Sequence, residues 1–274
     1  MLASCAYLCI IPAFSMQSPS VLYLAINLPW STQRRESILS QAQRFQLNIR
    51  IVEAIDGKKL SKEDAAAYSV EDRRRIYHDD LTDNEIACVL SHRKALKQFL
   101  DSDADYAVII EDDAKLAPLF CEGIHELTHH LKGWEIAKLY TSEGKLFPLL
   151  PHCPQAPVQP VFPKKILWMA IGYMYTRKGA QALYDSMQRF SEPADVLIAR
   201  LALAQGIPTI GVEPSLVQIH SLGRQSDIDA PSADKRAPGG PARKYFAHRW
   251  LVWRTTFYKF RMRFKMRRLL SRQD

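Results

Sequence analysis

Glu111, Asp112 and Asp113 stand in a row at the end of the apolar run Tyr106-Ala-Val-Ile-Ile. Adjacent carboxylates repel one another unless water or a cation separates them, so this tract suits holding a divalent ion against a polyanionic ligand. A solvated acidic turn is the plainer alternative for so short a tract. Asp195 follows Pro193 in the first turn of a predicted helix, where a carboxylate serves either as a general base at a pocket rim or as a complement to the helix dipole. Arg34 and Arg35 fall in the first turn of an earlier helix, a position that suits phosphate, although paired arginines there are also commonly solvated. His92 lies between Leu90 and Ala95 on a helix face, as a packing residue or a ligand, and His220 closes Leu216-Val-Gln-Ile219 as a strand-end residue or a contact for metal or phosphate.

The elements that must position these groups alternate between strand and helix. The acidic tract follows five residues without polar alternation, the pattern of a strand buried on both faces, whose carboxyl end opens on the crevice where α/β sheets bind ligands. The folded part opens with a strand over 21–28, a helix capped by Ser31 or Thr32, and a second strand over 49–55 that closes at Asp56-Gly57. Residues 58–80 read as a charged loop with short helical pieces. Thr82-Asp-Asn-Glu85 forms a capping box for a helix that leads into the strand ending at Glu111. A helix near 117–131, strands near 134–140 and 168–175, helices to about Phe190 and from Pro193 to Gly206, and short strands over 207–212 and 216–219 follow. Prolines at 148, 151, 154, 157, 160 and 163 predict an extended surface loop or lid. The whole predicts one catalytic-size α/β domain over 21–228, with residues 1–20 a disordered leader or a misassigned start and 229–242 a linker.

Charge is unevenly distributed. From Arg243 onward there are 11 of the 37 Lys/Arg and one of the 29 Asp/Glu, so residues 1–242 carry 26 basic and 28 acidic side chains. A slightly acidic body argues against nucleic acid as a partner. In the tail over 243–274, Phe246, Trp250, Trp253, Phe257, Phe260 and Phe264 recur at helical spacing among arginines and lysines. A basic amphipathic helix with an aromatic stripe suits an anionic membrane interface; packing on the catalytic domain is the alternative. No stretch is apolar enough over 18 residues to span a bilayer. The five cysteines are widely spaced without a C-x-x-C pair, which predicts reduced thiols.

Four islands accompany the acids in order: Ile26-Asn27-Leu28 with Arg34-Arg35; Leu81 to Arg93, containing Ser91-His92; Ile171 to Ala180; and Pro193-Ala-Asp195. With them the chain resembles glycosyltransferase family 25, the lipopolysaccharide-type sugar transferases related to collagen galactosyltransferases, over roughly residues 21–228. The resemblance implies a GT-A-like fold, a Rossmann-type mostly parallel sheet with flanking helices. It also implies a UDP-sugar donor, usually UDP-galactose, a manganese or magnesium ion, and inverting transfer of a hexose to a sugar hydroxyl. Carried onto this sequence, Glu111 and Asp113 are expected metal ligands with His220 a further candidate, Asp112 and Asp195 catalytic carboxylates, and Asn27, Arg34, Arg35, Ser91 and His92 donor-side residues. The family often has Asp and Arg where this chain has Pro29 and Trp30, and Asn84 and Ala87 replace glycines common in the family. The expected acceptor is a lipopolysaccharide, lipooligosaccharide or other lipid-linked glycan, at the inner face of the cytoplasmic membrane. The rival expectations are a nucleotidyl-transfer metal enzyme and an inactive membrane adaptor with a sugar-nucleotide fold.

Overall fold

The structure, a computed structural model, describes residues 18–77, 79–141, 146–163, 169–220 and 241–272, with side chains in the last segment described from Thr255. The expected leader as far as residue 17, the linker before Pro241 and the aromatic side chains of Phe246, Trp250 and Trp253 lie outside the described residues.

The chain runs β1 (Val21–Asn27), α1 (Thr32–Arg44), β2 (Ile49–Glu53), α2 (Lys62–Ala66), α3 (Val70–Ile76), α4 (Asp83–Leu100), β3 (Tyr106–Glu111), β4 (Ala114–Leu116) and α5 (Phe120–His125). It continues through β5 (Leu131–Lys132), β6 (Ile136–Lys138), β7 (Leu146–Pro148), β8 (Gln159–Pro163), β9 (Gly172–Thr176), α6 (Arg177–Ser186) and α7 (Ala194–Ala204). The last elements are β10 (Thr209–Glu213), β11 (Val217–Ile219), α8 (Pro241–Leu269) and β12 (Ser271–Arg272).

Eight strands form one sheet in the order β2-β1-β3-β9-β6-β10-β8-β7. Six run one way; β9 and β8 run against them, giving the expected mostly parallel α/β sheet with two reversed strands. β3 follows from its composition. Ala107 and Ile109 enter the core cluster under α4, α6 and α7, while Val108 and Ile110 enter the cluster under α1, α5 and α8. An unbroken apolar run is what a strand with two buried faces requires.

The chain leaves β1 toward β2 on one side and returns through α4 to β3 on the other. The carboxyl ends of β1 and β3 therefore frame a topological switch point, where a crevice opens between diverging connections. Their register pairs Ile26 with Glu111, which puts Asn27 and the acidic tract at that point. α4 begins where predicted: Thr82 accepts from the Glu85 backbone N–H, and the Glu85 carboxylate accepts from the Thr82 N–H at 2.7 Å. Gly57 lets the chain cross that helix start closely, since a Cβ there would lie 2.7 Å from the Asn84 backbone nitrogen. By contrast, Ser31 occupies the N-cap of α1 without a side-chain hydrogen bond.

Two expectations change. The proline-rich segment is not merely a loop: Pro148 lies in edge strand β7, and Pro160 and Pro163 lie in β8. Proline's fixed φ fits extended backbone, and its missing donor is tolerated beside a sheet edge. The Pro160 carbonyl still accepts from Leu149 N–H at 3.0 Å. The tail does form a helix, and one side of it is docked. Met262, Met266 and Leu270 are buried in the core cluster, whereas Phe257, Phe260 and Phe264 face outward at 47%, 62% and 49% exposure. Arg263 stacks over the Phe147 ring at 3.8 Å, Lys265 donates to the Gly206 carbonyl at 2.6 Å, and β12 pairs antiparallel with β5.

Candidate active site

The buried carboxamide of Asn27, at the end of β1, donates to Asp112 Oδ2 at 2.7 Å and to the Ser31 carbonyl at 3.1 Å. Arg34 approaches Asp112 Oδ1 at 3.6 Å. Asp112 is itself buried, so its carboxylate ties the acidic turn to β1 and to the start of α1. Arg35, one residue on, is exposed.

Asp113 is in a different condition. Burial, then the charges of Glu111 and Asp112, push its carboxyl up to about 7, against a smaller lowering effect of Arg34. Its Oδ1 is buried without a hydrogen-bond partner among the described residues, as is Asn27 Oδ1. Two unsatisfied oxygens beside clustered carboxylates fit the requirements of a hard cation. Oxygen donors at Asp113, beside the charge of Glu111, therefore suit the manganese or magnesium ion that the family resemblance implies. His220 is brought alongside, since its backbone N–H donates to the Asp113 carbonyl at 2.8 Å as β11 pairs with β4.

Ser91 and His92 support the acids from α4. The Ser91 hydroxyl donates to the Ala87 carbonyl at 2.7 Å and accepts from Ile55 N–H at 2.8 Å, fastening the helix to the segment after β2. His92 is buried, with Nε2 3.0 Å from Glu111 Oε1, and so fixes the direction of that carboxylate.

Across the site, Asp195 lies in the first turn of α7, with Oδ2 accepting from Met169 N–H at 3.1 Å and Oδ1 from Val196 N–H at 2.7 Å. Met169 adopts a φ of 78°, a left-handed conformation that a non-glycine residue holds only under restraint. Lys138 supplies part of that restraint, donating to the Met169 carbonyl at 2.5 Å and to the Tyr173 hydroxyl at 3.1 Å. Sequence reasoning missed Lys138 and Tyr173. Burial lowers the Lys138 ammonium to about 8, while the charges of Asp195 and Glu111 work in the opposite direction. A buried cation that feels both carboxylates links the acidic tract to Asp195 through a single side chain. Burial also pushes the Tyr173 hydroxyl up, so it remains protonated.

A mixed sheet flanked by helices, with acids at its switch point and a second carboxylate coupled to them through Lys138, fits a sugar-nucleotide transferase of this fold class. Comparison of the sequence with known proteins agrees: a family model described as glycosyltransferase family 25 (LPS biosynthesis protein) matches residues 22–198. The chain belongs to glycosyltransferase family 25. Among its relatives, procollagen galactosyltransferase 2 of Homo sapiens is 25% identical over 186 residues, covering 65% of this chain and 29% of that protein. The Mus musculus protein of the same name is 27% identical over 167 residues, 58% of this chain and 26% of its own. A glycosyltransferase 25 family member of Anopheles gambiae is 28% identical over 128 residues, 43% of this chain and 21% of its own. The match thus spans under a third of the length of each of these relatives.

Proposed function

We propose that this chain transfers a hexose, galactose first among the candidates, from a UDP-sugar to a hydroxyl of a lipid-linked glycan with inversion at the anomeric carbon. The observation that carries the reading is the unsatisfied oxygen of Asp113 in a crowded, buried acidic turn at the switch point of the sheet. Without a cation these acids would repel a nucleoside diphosphate; a divalent ion bound there supplies Lewis-acid stabilisation of the leaving diphosphate. Glu111 and Asp113 would hold that ion, with His220 adjacent. Asn27 and Arg34 keep Asp112 in place, and His92 keeps Glu111 in place. Arg34 and Arg35, in the first turn of α1, lie where donor phosphate would be favoured.

Asp195 is the proposed base, accepting the proton of the incoming hydroxyl. Its two anchors, Met169 and Val196 N–H, fix the carboxylate while leaving lone pairs available. Lys138 places positive charge where it is attracted to both Asp195 and Glu111, and so ties the base electrostatically to the acidic tract. For the acceptor, the exposed Phe257, Phe260 and Phe264 among the basic residues of α8 support placement on an anionic membrane surface, at its cytoplasmic side. None of the helices among the described residues is long and apolar enough to cross a membrane.

Incubation with a panel of UDP-sugars, with and without manganese, tests the reading. Hydrolysis of one UDP-hexose only in the presence of the ion is expected, and release of UDP at equal rates in chelator would contradict it.

A further inference from the structure

Cys88 and His92 stand one helical turn apart on α4, so both side chains leave the same face of the helix. That face looks onto the end of β3. There Cys88 Sγ, His92 Nε2 and a carboxylate oxygen of Glu111 lie within 4.8 Å of one another. Glu111 Oε1 is 3.0 Å from His92 Nε2 and 3.9 Å from Cys88 Sγ. A tetrahedral ion with the bond lengths usual for thiolate, imidazole and carboxylate donors separates them by roughly 3.3–3.6 Å. The two measured separations fall on either side of that range, so small side-chain adjustments close the set.

The donor types also matter. Manganese and magnesium prefer all-oxygen surroundings, as at Asp113, whereas one sulfur, one imidazole nitrogen and one carboxylate suit zinc, with a fourth position left open. Apart from burial, the negative charges of Glu111, Asp195, Asp113 and Glu85 all bear on Cys88, so a cation there enters a field of compensating charge.

We propose that Cys88, His92 and Glu111 form a second cation site, selective for zinc or a similarly borderline-soft divalent ion. Binding there needs only these three side chains and is independent of the glycosyl-transfer reading. One consequence does rest on that reading: Glu111 belongs to both sites, so zinc on the helix side would antagonise the ion that supports transfer.

Titration of the full-length protein with cobalt(II), a spectroscopic substitute for zinc, tests the proposal without any activity assay. The wild type is expected to develop a thiolate-to-cobalt charge-transfer band that saturates at one equivalent and is displaced by zinc. Cys88→Ser should lose the band and weaken zinc binding by at least about tenfold in chelator competition, a minimum set by what supporting residues alone contribute. Asp113→Asn should retain both, which separates this site from the oxygen-rich one. The clustered histidines His125, His129 and His130 after α5 carry no sulfur and cannot give the band. Absence of the band in the wild type, or its persistence in Cys88→Ser, would overturn the proposal.

Discussion

Two corners of the sheet are held by opposite physics. Where β1, β3 and β11 meet, buried polar groups are in conflict: Asp113 is crowded by Glu111 and Asp112, and the oxygens of Asn27 and Asp113 lack partners among the described residues. At the far edge, α8 closes the core through Met262, Met266 and Leu270, each buried side chain contributing about 1.5–3 kcal/mol, with few polar demands left over. On the proposed reading, the first corner is completed by a bound cation. The second is complete in itself. Substitutions at the two should therefore separate ligand dependence from stability.

Asp113→Asn should break that contrast most severely if the site is misassigned. Manganese-dependent donor turnover is expected to disappear, while the metal-free melting temperature at pH 7 stays level or rises, because an isosteric amide removes a crowded carboxyl. Wild-type turnover in an assay of released UDP would remove Asp113 from the ligand set. Next in size, Asp195→Asn should lower kcat by about 10²–10⁴-fold and leave the donor KM nearly unchanged, measured by initial rates over a range of donor concentrations. A change confined to KM would assign it to donor binding instead.

On the other side of the contrast, Met266→Ala should cost about 2–5 kcal/mol in denaturant unfolding, with the stabilisation conferred by UDP and manganese intact. Simultaneous replacement of Phe257, Phe260 and Phe264 by Ser should abolish binding to anionic vesicles while shifting stability by no more than about 0.5 kcal/mol per site. Undiminished vesicle sedimentation would refute the outward face as a membrane contact. Deleting the whole tail would not be a clean substitute, because it removes the docked face as well.

The smallest effect is a pH dependence. Asp113 in the folded protein holds a proton up to about 7, whereas an ordinary aspartate releases it near 3.8. Its contribution to metal-free stability is thus present in acid and lost as pH rises through 7. Melts in chelator across that window should show the decline, and Asp113→Asn should flatten it.

These contrasts were only partly legible in the sequence. β3, the Thr82 capping box and the acidic tract stand out because each is a local pattern with one physical reading: an apolar run, a reciprocal cap and adjacent like charges. Lys138 does not stand out, since a lone lysine in Ile136-Ala-Lys-Leu-Tyr140 looks like the polar position of an alternating strand. Only the insertion of β9 between β3 and β6, a non-local pairing, buries it and brings its charge to bear on Glu111 and Asp195. The docked face of α8 was hidden for a related reason. Methionines at 262 and 266 draw less notice than an aromatic stripe, and which side of a two-sided helix meets the core depends on what lies opposite. In the proline-rich segment only the two ends, Leu146–Pro148 and Gln159–Pro163, keep the extended backbone its spacing suggested, with turns and bends between them; what the spacing could not announce was the edge position open beside β10.

The most direct test of a cation-dependent diphosphate site at the ends of β1 and β3 is calorimetric titration of UDP into the protein in manganese and in chelator. Saturable uptake of one UDP in manganese, lost in chelator and in Asp113→Asn, is the predicted result. Equal uptake under all three conditions, or none with the ion present, would contradict it.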